Sequence, residues 1–186
     1  MSRTAVDAEF LALAEHSLRR HHLPRIERCL AMLSAEQIWW RPNESSNSAG
    51  NLALHLAGNV RQWIVAGLGG AADARQRDLE FSERGPVPRA RLVRTLHSAV
   101  LDACRVIRRL TPAELAAGYR IQKLPVTGLN ALLHVVEHFA FHSGQIIFIT
   151  KQVQSRDLRF THLPGDMRVS RPGRAKQRRG RELPVL

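Results

Sequence analysis

Between residues 131 and 149 the chain reads ALLHVVEHFAFHSGQIIFI, an almost wholly apolar run in which histidine returns at every fourth position, as His134, His138 and His142. An α-helix advances about 100° per residue, so positions four apart drift by only about 40° and the three imidazoles share one stripe with Asn130 and Gln145. Leu132, Leu133, Val136, Phe139 and Ile146 flank that stripe and must face other helices. A helix apolar on nearly every side belongs in a core. A buried polar group left unpaired costs about 1 to 3 kcal/mol, so the rest of the chain has to present a second polar face.

The segment SAGNLALHLAGNVRQW, residues 48 to 63, presents one: Ser48, Asn51, His55, Asn59 and Gln62 fall on a single helical face beside Leu52, Leu56 and Trp63. Two further segments have helical periodicity. Phe10, Leu13, Ala14, Leu18, Leu23, Ile26, Leu30 and Leu33 mark a long helix over 6–33 with a kink at Pro24. Leu92, Val93, Leu96, Val100, Cys104 and Ile107 mark another, with Pro88 in its first turn. SAEQ at 34–37 and TPAE at 111–114 fit capping boxes, Ser48 or Asn47 caps the second long helix, and Thr127 caps the fourth, over about 128–153. YRIQKLPVT is extended, with the makings of a small hairpin. Four long amphipathic helices predict an all-α four-helix bundle over residues 1–155. The long polar link at 71–87 suggests one long crossover between non-adjacent helices, and 156–186 has the composition of a disordered basic tail.

The chain is long enough for one core and too short to argue for two. Its net charge of +12 is unevenly spread: nine basic and three acidic residues in 156–186 leave nineteen and thirteen elsewhere, an ordinary surface with a mild excess. No apolar run approaches a membrane span and the start carries acids, so a cytoplasmic protein without a membrane partner is expected. Cys29 and Cys104 read as buried thiols rather than a disulfide.

A divalent metal is a natural thing for two polar stripes to meet. Histidines four apart can converge on an ion about 2.0 to 2.1 Å from each nitrogen, whereas positions eight apart are separated by roughly 12 Å of helix rise. Spacing leaves His134 with His138 and His138 with His142 as open alternatives; His55 is the candidate third ligand. Three neutral imidazoles leave positions open for water or substrate, the arrangement of a reactive site. Imidazole admits several metals, zinc and nickel foremost.

HVVEHFAFHSGQI resembles the fourth-helix signature of the DinB-like superfamily, and NLALHLAGNVRQWI resembles its second-helix signature; WWRPNESSNSAGN, GLGG and RDLEFSERGPVP extend the likeness over about 10–155. The resemblance implies a four-helix bundle, often a homodimer, with a divalent ion held by His55, His138 and His142 and a supporting place for His134. It also implies transferase or hydrolase chemistry on a small-molecule substrate, with a low-molecular-weight thiol as possible co-substrate.

Asn51 and Asn59, one turn either side of His55, and Gln145 are candidates to orient the ligand rings, because metal-bound imidazoles usually donate their other N–H. Glu137 reads as an ion-pair partner or a base. Gly144 suggests close backbone approach or room for a ligand, His97 a core histidine, and His16, His21 and His22 a solvent-exposed cluster. The competing functional reading is a non-enzymatic binding protein whose basic tail contacts nucleic acid. A bundle that uses metal only for stability is the third.

Overall fold

The computed structural model of the chain describes residues 5–85 and 87–160. The first bundle helix is built from α1 (Ala5–His16), π-helical turns over Ser17–His22 and α2 (Leu23–Met32). Pro24 has no N–H to offer the carbonyl one turn back, and the ladder widens into π turns just ahead of it. After the single-turn α3 (Ala35–Ile38), the second bundle helix is α4 (Ala49–Val60) continued by π turns over Arg61–Leu68. A short α5 (Arg77–Ser82) interrupts the link to the third bundle helix, α6 (Arg89–Ile107). Then come α7 (Pro112–Ala116), a hairpin of β1 (Gly118–Ile121) and β2 (Leu124–Thr127), and the fourth bundle helix, α8 (Gly128–Gln154).

The helix starts are where the capping residues place them. Ser34 Oγ accepts from the Gln37 amide while Gln37 Oε1 accepts from the Ser34 amide, and Thr111 with Glu114 does the same. Ser48, not Asn47, caps α4, closing its box with Asn51; Thr127 Oγ1 accepts from the Asn130 amide at 3.2 Å. In the hairpin Tyr119 pairs with Val126, and the turn residues Gln122 and Lys123 have φ of 52° and 66°, as the right-handed strand twist requires of a two-residue loop.

The bundle has α4 against both α6 and α8, and α2 against both as well. Arg61 reaches Ser98 and Asp102, and Gly69 lies against Val106, so the second and third helices run parallel. Arg89 bonds the Leu33 carbonyl and Arg108 meets Glu15, so the third runs opposite to the first. The long link therefore joins neighbours, not the non-adjacent helices expected. Its length follows from direction: parallel helices require the chain to return along the bundle, about 30 Å for a twenty-residue helix. On that return it passes over His55.

Phe139, Leu18, Ile26, Leu56, Leu96 and Ile107 form the centre of the core, with Cys29 and Cys104 buried and unbridged. Several expectations need correction. Leu13 and Leu133 are exposed rather than packed. The His97 side chain is 51% exposed beside Glu27, because it lies at the edge of its helix's apolar stripe rather than within it. By length and composition alone α8 is apolar enough to cross a membrane; its packing against α2 and α4 makes it a bundle helix. Leu158 is buried and Phe160 lies under Arg25 and Arg28, so the packed unit extends past 155. The rest of the expected basic tail, 161–186, lies outside the described residues.

Candidate metal centre

His55 on α4 and His138 and His142 on α8 turn their Nε2 atoms to one point. His55 Nε2 lies 2.9 Å from His138 Nε2, and His142 Nε2 lies 3.1 Å from the same atom. Antiparallel packing of α4 on α8 makes this possible: Leu52 lies beside Ile149 at one end and Trp63 beside His134 at the other, with His55 between. The three residues are the group, among those described, whose ligand atoms could hold a metal ion.

The outer nitrogens fix the tautomers. His55 Nδ1 lies 2.9 Å from Glu80 Oε2. A carboxylate only accepts, so Nδ1 carries the proton and Nε2 presents a lone pair inward. Arg75 Nη2 also lies 3.1 Å from that Nδ1, but two donors cannot bond each other, and Arg75 Nη2 is satisfied by Glu80 Oε2 at 2.8 Å. His142 Nδ1 lies 2.7 Å from Gln145 Oε1, which directs the His142 lone pair inward too. His138 Nδ1 is buried with no hydrogen-bond partner. A proton on His138 Nε2 can bridge only one of its two neighbours, so at least one inward lone pair is left without a donor. A cation between the rings removes that conflict, which is the sense in which these residues fit a metal.

Burial keeps His138 and His142 neutral. Burial, then the rings of His142 and His55, push His138 down to about 3; burial also lowers His142, against the bond it donates to Gln145. Glu80 is buried, which pushes its carboxyl up, but hydrogen bonds from Arg75 and His55 hold it below the usual carboxylate range. Arg75 Nε bonds Glu80 Oε1 at 2.7 Å and Arg75 Nη1 bonds Gln62 Oε1 at 2.9 Å.

The link thus contributes what its sequence did not reveal. α5 brings Glu80 to His55 and sets the Phe81 ring 4.5 Å from the imidazole. Asn51, expected to orient His55, instead donates to the carbonyls of Glu80 and Glu83, both at 2.9 Å, tying α5 to α4. Asn59 Oδ1 is buried without a partner and does not bond His55. Gln145 holds the place expected of it. His134 stacks on Trp63 with ring centroids 4.0 Å apart and lies 5.5 Å from the His138 ring, beside rather than in the cluster. Glu137 is exposed on α8 and acts on His134 through its charge. Gly144 has nothing within 4 Å of where a Cβ would stand, so no neighbouring backbone explains it. His16 and His21 are exposed as expected, whereas His22 is half-buried. A cleft of about 770 Å³ is lined by Trp40, Leu52, Phe141, Phe148 and Gln145, the residue whose amide oxygen holds His142 Nδ1; none of the three histidines lines it.

Residues 5–167 match the family described as "Protein of unknown function (DUF1572)". No curated protein matches the chain. Among solved structures, the conserved protein from Enterococcus faecalis is similar with a TM-score of 0.66 at 20% identity, over 78% of this chain and 97% of that one. A DinB-like protein, YjoA from Bacillus subtilis, is similar with a TM-score of 0.59 at 16% identity, over 77% of this chain and 93% of its own. The fold is DinB-like, and the chain belongs to the DUF1572 family.

Proposed function

We propose that the protein is a metal-dependent enzyme that holds one divalent ion, zinc or nickel, through His55, His138 and His142. In this reading it catalyses a thiol-dependent transfer or a hydrolysis. The observation that carries it is the convergence of three imidazole nitrogens whose outer nitrogens are, in two cases, already engaged. A bound ion of this kind supplies Lewis acidity that lowers the pKa of a thiol or of water. His55 and His142 are held in register by Glu80 and Gln145. The cleft that Gln145 shares offers Trp40, Phe141 and Phe148 to an apolar substrate body, with the amides of Gln145 and Gln152 at its wall. Substrates with an aromatic or aliphatic group therefore fit this reading better than sugars or nucleotides.

A homodimer is part of the same proposal. Phe141 and Phe148, two turns apart on one face of α8, are 65% and 62% exposed, and exposed apolar surface of this kind marks contact sites. The test is consumption of glutathione, or of another low-molecular-weight thiol, against a panel of apolar electrophiles by zinc- or nickel-loaded protein, with hydrolysis of apolar esters and amides as a second arm. Turnover that disappears with chelator and in His138→Ala is expected. Stoichiometric metal without turnover in either arm would favour a purely structural ion.

A further inference from the structure

The crossover between the second and third helices runs back along the bundle, yet a simple tether would not need to bury an acid. Glu80 is 8% exposed and carries three strong contacts at once: His55 Nδ1 at 2.9 Å, Arg75 Nε at 2.7 Å and Arg75 Nη2 at 2.8 Å. Arg75 is itself drawn into the protein, its side chain 3% exposed. The bundle is shaped to receive the carboxylate. Gly58, less than one turn beyond His55, leaves room that a side chain would take, because a Cβ there would overlap Glu80 Oε1. Asn51, one turn before His55, donates to the backbone carbonyls of Glu80 itself and of Glu83. Residues on both sides of His55 along α4 are thus committed to seating one acid of the link.

We infer that Glu80 and Arg75 form a positioning pair for the metal centre: the carboxylate fixes the His55 ring and its tautomer, and the guanidinium fixes the carboxylate. This inference rests on the three-histidine reading. Carboxylates that accept the outer N–H of a metal-bound imidazole orient the ring and strengthen it as a donor, and their loss typically weakens metal binding about 10- to 100-fold. Arg75 makes the arrangement tolerable in a buried setting, since an ionised carboxylate beside an uncharged ring would otherwise be poorly compensated. Its fork spans both carboxylate oxygens, so the acid cannot rotate away from His55.

The pair is tested by the affinity for Zn(II), measured by competition with a chromophoric chelator, in wild type, Glu80→Ala, Arg75→Met and Gly58→Ala. Gly58→Ala keeps the carboxylate and displaces it, and alanine favours the helix, so this variant carries the test if Glu80→Ala fails to fold. Each should bind Zn(II) about 10- to 100-fold more weakly than wild type. In the Zn(II)-loaded wild type, ¹⁵N-edited NMR should show a slowly exchanging His55 Nδ1–H, absent in Glu80→Ala and Gly58→Ala; a merely structural role would leave that proton in place. Affinities within twofold of wild type in Glu80→Ala and Gly58→Ala overturn the inference while leaving the metal site standing. A wild type that takes up no Zn(II) overturns both.

Discussion

Replacing His138 by leucine separates a ligand from an ordinary core histidine. In the metal-free protein His138 is a liability: its Nδ1 is buried and unbonded, and its Nε2 faces two other nitrogens with one proton at most to share. A buried unsatisfied polar group costs about 1 to 3 kcal/mol, and leucine removes it at similar volume. For a chain of this size each kcal/mol moves the melting temperature by about 2 to 4 °C, so His138→Leu should melt roughly 2 to 12 °C above wild type in excess chelator at pH 7.5. Zn(II) at about 1,000 times its dissociation constant should reverse the order, because it stabilises only the wild type, by about 4.1 kcal/mol. Thermal unfolding followed by circular dichroism measures both. A metal-free His138→Leu that melts below metal-free wild type would refute the reasoning, since the imidazole would then be holding the core together by itself.

Three other outcomes are expected. Burial, with His21 and Arg25 nearby, pushes His22 down to about 4, so the unfolded chain, with an ordinary value near 6.5, takes up a proton that the folded chain refuses. The stability this residue permits is complete above about 6.5 and is lost as the pH falls towards 4; His22→Gln should flatten the fall in melting temperature between pH 7.5 and 5, and an unchanged slope would count against it. Burial raises Cys29 and pushes Cys104 up to about 11, so iodoacetamide at pH 7.5 should modify neither thiol in the folded protein and both after unfolding. Phe139, fully buried on the face of α8 turned to the first helix, should cost about 3 to 5 kcal/mol on replacement by alanine in a urea titration.

Local rules carried much of the fold. Ser34, Ser48, Thr111 and Thr127 announce helix starts because a side-chain oxygen must meet an amide three residues on, a relation the sequence states directly. His55, His138 and His142 are legible for a related reason, since four-residue spacing places rings side by side whatever else the chain does. Choosing the pair on α8 needed family resemblance, and the same pair is what the packing of α4 brings together.

Glu80 and Arg75 were out of reach because they lie 25 and 20 residues from His55 in an unperiodic stretch, where no helical spacing links them to it. One signal did exist: Gly58, in the middle of a good helix, pays an entropic penalty that close approach of another group explains. The direction of the third helix was also hidden, as the length of a link does not say whether it crosses the bundle or returns along it. His97 and Leu133 show the limit of periodicity, which finds the apolar stripe of a helix but not how wide a strip its neighbours cover.

The most direct measurement is metal content per chain, by elemental analysis of protein dialysed against a trace of Zn(II), in wild type and in His55→Ala, His138→Ala and His142→Ala. A shared centre predicts one tightly held ion in wild type and its loss in all three variants. Equal stoichiometric metal in wild type and the variants, or none in any of them, would contradict it.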